Sequence, residues 1–411
     1  MFARGLARDW TAGFLLLGIL IAVPGPLTVA WRYQLDNDPR AVALHFLALN
    51  GTLLVVACAC HVLRHRLPSR GLFIEACLLA FAGLLSFTFS LPPVRVEWRI
   101  AGMGVLGASA GILLVALLSV IRPYYEERGV SALGSSGGLC GFGCLLVTAA
   151  MGGAYSLHSV QWESALVALL PLIILVLYLR PESRRLRTTA RTGDQGLRGA
   201  LDDLRSVAAV LFGLLLFFQF GNEWSLADWL PLFLIHRLGA SPDSAIFVLA
   251  LYFASLLAGR FFVQLLLTRV SHSRLLIGSV LGAMLGYLLL SQTNTVTGAA
   301  LATVLTGVSF APIYAVTAEK IGWRFDRRPD LYNGIFLLAL IGGVLGPWLL
   351  GYIGYYLGMN YIMLMPAGGS AAVLALMACI TLESKLMRGN AGGPPSTPNA
   401  SSKTASAGSN S

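Results

Sequence analysis

The sequence predicts an all-α membrane protein whose twelve transmembrane helices form two bundles of six, and three observations predict it. Hydrophobic residues fill 56 % of the 411 positions and charged residues only 12 %, with a mean hydropathy of +0.74; a soluble domain carries about 25 % charged residues. Apolar runs of about twenty residues, the length that crosses a bilayer, recur twelve times along the chain. Basic residues gather in alternate connections between those runs.

The first run, 11–33, follows Arg4 and Arg8 and is longer than a signal-peptide core, so it is expected to be a span and not a cleaved leader. Spans are expected next at 41–62, 71–91, 100–121, 132–155 and 163–179. A polar, arginine-rich linker, 180–205, separates them from a second set at 206–236, 243–268, 274–292, 296–318, 331–357 and 361–382. Residues 389–411 are mostly Gly, Ser, Pro, Asn and Ala and bury too little apolar surface to fold, so a disordered tail is expected. The chain thus divides into an N-terminal bundle, 1–179, the linker, a C-terminal bundle, 206–388, and the tail.

Orientation follows from the bases. With the N-terminus inside, only Arg32, Arg40, Arg95, Arg99 and Arg237 fall in outer connections, which places both termini and the linker in the cytoplasm of a plasma (inner) membrane protein. The net charge of +10 therefore belongs to short inner loops, and no nucleic-acid partner is expected. The six cysteines lie inside apolar runs without metal-ligand spacing, so neither a metal nor a cofactor is expected. The sequence has no Gly-x-x-x-x-Gly-Lys-Ser/Thr stretch for ATP.

The stretch from Gln219 to Pro231 interrupts the seventh run with two carboxylates, two amides, a glycine and a proline. A charge near mid-bilayer costs roughly 2.5–3.5 kcal/mol on insertion scales, so Glu223 must face protein or water. Gly221 and Pro231 predict a loosened helix there. Glu223 is the candidate proton carrier or acceptor for solute hydroxyls, with no base expected mid-span in the C-terminal half, since Arg260 is placed near the cytoplasmic end. Gln219, one turn earlier, is expected on the same face, and Asn222 beside it. Asp228 and Trp229 approach the outer surface, Trp229 as a stacking surface for a ring and Trp224 as a headgroup anchor. Tyr252, Tyr314 and Asn50 are further solute-binding candidates, each with packing as its alternative. Arg260, Arg269, Glu319 and Arg324 sit at inner helix ends, either as a gate of exchanging ion pairs or as products of the positive-inside bias.

At these residues the chain resembles the major facilitator superfamily. Gly259-Arg260, Arg269 and Arg274 are similar to the basic loop that the superfamily repeats after its second and eighth spans. The first copy, His61 to Arg70, lacks the usual glycine and aspartate. Gly221 to Trp229, Gly307 to Tyr314 and Gly342 to Gly351 resemble the seventh, tenth and eleventh spans of its fucose and glucose/galactose permease branch. The resemblance implies two six-helix bundles rocking about a central site, and a monomeric secondary transporter for a small polar solute, a sugar in that branch, driven by protons. The acids that branch carries in its first and fourth spans are missing here, and Glu75 is the one acid within an N-terminal span.

Two other readings stay open: a transporter-like receptor or scaffold that moves nothing, and a facilitator or drug efflux carrier of the same fold. A membrane enzyme would gather its histidines at one face, whereas His45, His61, His65, His158, His236 and His272 are scattered. The orientation is testable with an impermeant thiol reagent on intact cells. Pro92→Cys and Gly239→Cys should label and Thr189→Cys should not; labelling at position 189 would invert the topology.

Overall fold

The computed structural model describes residues 2–31, 38–63, 69–89, 95–128, 130–156, 160–179, 206–267, 269–325 and 329–390. Most of the expected linker and residues 391–411 of the expected tail lie outside them.

The described chain is helical. Helix α1 (Phe2–Ala22) and α2 (Pro24–Trp31) together form the first apolar segment, followed by α3 (Pro39–Leu63), α4 (Ser69–Phe89), α5 (Val96–Arg128), α6 (Val130–Ser156) and α7 (Val160–Leu179). Then come α8 (Val207–Leu238), α9 (Pro242–Leu266), α10 (His272–Gln292), α11 (Val296–Arg324), α12 (Pro329–Tyr356) and α13 (Leu364–Asn390). Among the described residues, eleven segments are long and apolar enough to cross a membrane, and Ala165–Leu179 is a shorter apolar helix at the sixth expected position. Helices α5, α11 and α13 run beyond the expected apolar limits, because a helix satisfies its backbone internally and need not stop where lipid does. Helix α13 thereby takes in the first two residues of the expected tail.

Helix α8 is one unbroken element, which corrects the expected loosening around Gly221. Ser206 caps its start by accepting from the Ala209 amide, and Gly239 ends it in the left-handed region at φ 62°. The expectation failed because Gly221 serves packing. The Cβ of any larger residue at Gly346 of α12 would lie 2.6 Å from the Gly221 carbonyl oxygen, and one at Gly342 would collide with the Phe217 carbonyl. Between lipid-immersed helices, where water gives no hydrophobic push, such close backbone approach is the main source of attraction.

Neighbours repeat along the chain. Helix α3 packs on α5, α4 on α5 and α7, and α1 on α6; α9 packs on α11, α10 on α11 and α13, and α8 on α12. Two further contacts join early helices to late ones, α6 with α9 and α3 with α12, and α2 touches α8. At the second of these joints Gly351 faces Ala43 and the Pro39 carbonyl, and Arg40 lies 3.6 Å over the ring of Tyr355.

Gly342→Val should overpack the α8–α12 seam and cost about 1–3 kcal/mol or more, read as a lowered unfolding temperature in detergent. Gly153→Ala, where an added methyl meets nothing within 4 Å, is the control and should leave that temperature unchanged.

Candidate functional site

A cavity of about 230 Å³ lies between early and late helices. It reaches Leu118 near the end of α5, Val263 near the end of α9 and Phe336 near the start of α12. It therefore leans toward the end of the molecule where α1 and α8 begin.

Helix α8 supplies one wall. Phe220, Glu223, Trp224, Ala227 and Asp228 all line the cavity, and their spacing of 3, 4, 7 and 8 residues from the first is one face of an α-helix. That period brings in two residues the sequence analysis had turned elsewhere. Asp228 is buried at 5 % exposure and accepts from the Asn50 amide at 3.4 Å, not approaching the surface. Trp224 stacks against Phe220 within the cavity wall instead of sitting at the headgroups.

The same period turns three expected site residues away. Gln219, Asn222 and Trp229 are buried outside the cavity lining. Asn222 donates from its side-chain amide to Ser370 of α13 at 3.4 Å, and its main-chain carbonyl accepts from the Tyr287 hydroxyl at 2.7 Å. Trp229 is fully buried; its indole N–H donates to the Pro347 carbonyl at 2.8 Å and its ring meets Phe46 edge-on. Gln219 stays out of the cavity lining but keeps its side chain beside the Glu223 carboxylate, one turn on, as expected.

A second correction concerns Arg260. From α9 its guanidinium Nη2 stands 3.5 Å from Glu223 Oε1, so the acid has the basic partner that the sequence analysis expected it to lack. Counting residues to the helix end places the Cα of an arginine and not its charge, which its long stem carries toward the midplane. The other nitrogen, Nη1, donates to the Gly137 carbonyl of α6. Room for it comes from glycines: a Cβ at Gly141 would stand 3.2 Å from Nη1, and one at Gly137 3.5 Å. Arg260 thus joins α9, α8 and α6 at one point.

Tyr252 and Tyr314 also line the cavity. Tyr252 is fully buried with its hydroxyl unpartnered, while Tyr314 packs on Phe220 at 5.6 Å. Cys140 and Cys144, one turn apart on α6, complete a polar edge that the sequence analysis read only as buried thiols. The remaining candidates lie elsewhere. Glu319 pairs with His272 at 2.9 Å and Arg324 with Glu383 at 2.8 Å, contacts among α10, α11 and α13, and Arg269 is exposed in the turn between α9 and α10.

Residues 11–322 match the family model of the Major Facilitator Superfamily. The chain belongs to that superfamily. It is accordingly an integral, multi-pass membrane protein and a transporter, not an enzyme. No curated protein matches the sequence. Among solved structures, the crystal structure of the nucleoside transporter NupG is similar over 91 % of this chain and 98 % of its own, with a TM-score of 0.71 and 13 % identity. A mutant of NupG gives 91 % and 99 %, 0.72 and 13 %. At that identity the likeness is one of major facilitator fold.

Trp229→Phe separates packing from solute contact. It keeps a ring against Phe46 and removes the bond to Pro347, so stability should fall by about 1 kcal/mol while solute affinity stays unchanged. A loss of affinity at unchanged stability would return Trp229 to the site.

Proposed function

We propose that the chain is a secondary transporter that moves a small polar solute by alternating access of two six-helix bundles, 1–179 and 206–388, joined by the cytoplasmic linker 180–205. It works as a monomer in the plasma (inner) membrane with both termini inside. The repeating neighbour pattern supports the bundles, the main early pairs, α3 with α5, α4 with α5 and α7, and α1 with α6, recurring among the late helices. One observation carries the mechanism. The cavity is walled by both bundles, and polar contacts cross it, from Arg260 to the Gly137 carbonyl and from Asn50 to Asp228. Such contacts are exchanged for solute or water far more cheaply than a packed apolar seam is opened.

Rocking then means that the joint around Gly351, Ala43 and Arg40 opens as the cavity's present mouth closes. In this scheme Gly25, against the Ala227 carbonyl, belongs to the same outer closure.

The Glu223–Arg260 pair supplies a coupling element. A proton on Glu223 removes the charge that holds Arg260 Nη2, freeing that nitrogen for solute or water while Nη1 stays on the α6 carbonyl; loss of the proton restores the pair. Nothing beyond fold is carried over from the nucleoside transporter at 13 % identity. Of the three stretches behind the sugar expectation, Gly221 to Trp229 and Gly307 to Tyr314 contribute residues to the cavity, while Gly342 and Gly346 of the third pack on α8 and do not line it.

In proteoliposomes, Glu223→Gln keeps shape and hydrogen-bonding reach but cannot release a proton. It should abolish gradient-driven accumulation and leave equilibrium exchange within a few-fold of the native rate. Accumulation by the Gln variant would remove Glu223 from coupling, and a native protein that moves no solute under any gradient would favour a receptor or scaffold.

A further inference from the structure

The two carboxyls in the cavity are not equally partnered. Glu223 has Arg260 as its cation, whereas Asp228 has, among the described residues, the Asn50 amide and no base. Arg260 is the one basic residue lining the cavity among the described residues. An ionised carboxylate that is nine-tenths buried in a membrane span, with no positive partner, is an expensive arrangement. It stands at a surface open to a visiting molecule.

Backbone adds to the negative potential there. Pro231 has no N–H, so the Ala227 carbonyl loses the helical hydrogen bond that position 231 would otherwise give it. That carbonyl points at Gly25, where a Cβ would stand only 2.8 Å away. Asn50 spends its NH2 on Asp228 and keeps its Oδ1 as an acceptor. Two acceptors, the Asp228 carboxylate and Asn50 Oδ1, therefore meet at one end of the cavity, with the Ala227 carbonyl closed behind them against Gly25, and an ammonium group has donors for both.

The rest of the wall describes the body such a group would carry. Phe220, Trp224, Tyr314 and Phe336 form a shelf on the Asp228 helix and its neighbours, with ring centroids 5.6–6.3 Å from Phe220. Aromatic faces attract cations and apolar rings alike. Beyond the shelf, the unpartnered Tyr252 hydroxyl offers one further hydrogen bond. A bare metal ion fits poorly, since hard cations take six or more oxygen ligands, and an anion would meet Asp228 with Arg260 already engaged.

We infer that the transported solute is an organic monocation, a protonated amine on a small apolar or aromatic body, whose ammonium is held by Asp228 and Asn50. The inference rests on the reading of the cavity as the solute site of an alternating-access carrier. It gives the two acids separate tasks: Asp228 meets the charge of the solute, and Glu223 answers to Arg260.

The test uses full-length purified protein and matched pairs of probes, benzylamine with benzyl alcohol, 2-phenylethylamine with 2-phenylethanol and tyramine with tyrosol, plus phenylacetate as the anion. Affinities are measured by calorimetry or ligand-dependent thermal stability. At least one amine should bind about tenfold or more tightly than its alcohol, the ratio expected for a charge-assisted hydrogen bond, and phenylacetate should bind least. Asp228→Asn should bring that amine down to the affinity of its alcohol. If that variant fails to fold, Asn50→Asp, which adds a carboxylate at the same place, should widen the amine preference. Equal binding within every pair, tightest binding of phenylacetate, or an amine preference that survives Asp228→Asn would overturn the assignment. Amine binding that depends on Asp228 without flux in proteoliposomes would support the assignment and remove the carrier reading. Flux of uncharged solutes with no amine preference would do the reverse.

Discussion

The guanidinium of Arg260 is the point on which the interior of this transporter turns. It reaches Glu223 on α8 and the Gly137 carbonyl on α6, so a side chain rooted in α9 touches three helices at the depth where a stray charge is costly. Removing either partner does not merely subtract a contact; breaking such a pair by deleting one charge costs roughly 3–5 kcal/mol because the survivor is stranded. The surrounding sequence is arranged to avoid that. Gly259 lets α9 come close to α11, where a Cβ would stand 2.6 Å from that of Ala311, and the glycines of α6 clear the space into which the guanidinium projects.

Around that point the molecule separates two kinds of contact. Seams made by close backbone approach at glycines, such as Gly221 with Gly346 and Gly342 with Phe217, bind α8 to α12 away from the cavity and have every reason to persist. Contacts made by hydrogen bonds into the cavity, such as Asn50 with Asp228, have ready substitutes in water and solute. A carrier needs both: the first kind holds α8 to α12, which move together, while between the bundles the polar contacts and the small glycine joints at Gly351 and Gly25 must give way in turn.

Much of this was legible in the sequence. Run length and loop charge locate the helices within a few residues, since bilayer thickness and backbone satisfaction leave little freedom. The cost of burying a charge is enough to single out Glu223. What stayed hidden was azimuth and reach. Gln219 and Asp228 lie four and five residues from Glu223 on opposite sides, and only the full face at 220, 223, 224, 227 and 228 says that Asp228 lines the cavity while Gln219, beside Glu223, does not. Trp229 reads equally well as a ring for solute or for packing until its partner at Pro347, more than a hundred residues away, is known. Arg260 shows the same limit, for its position along α9 is plain and the direction of its charge is a property of the neighbours.

The glycines of α6 carry a consequence of their own. Seven of the residues from Val130 to Ser156 are glycine, and each costs a helix in water about 1 kcal/mol relative to alanine. Such a segment holds its shape because hydrocarbon around it makes an open peptide group costlier still and because α1 and α9 press against it. Its order is thus borrowed from its surroundings. Of all the helices, the one that receives Arg260 is the one most answerable to the lipid, so the composition and thickness of the bilayer act directly on the wall against which the two halves of the transporter meet.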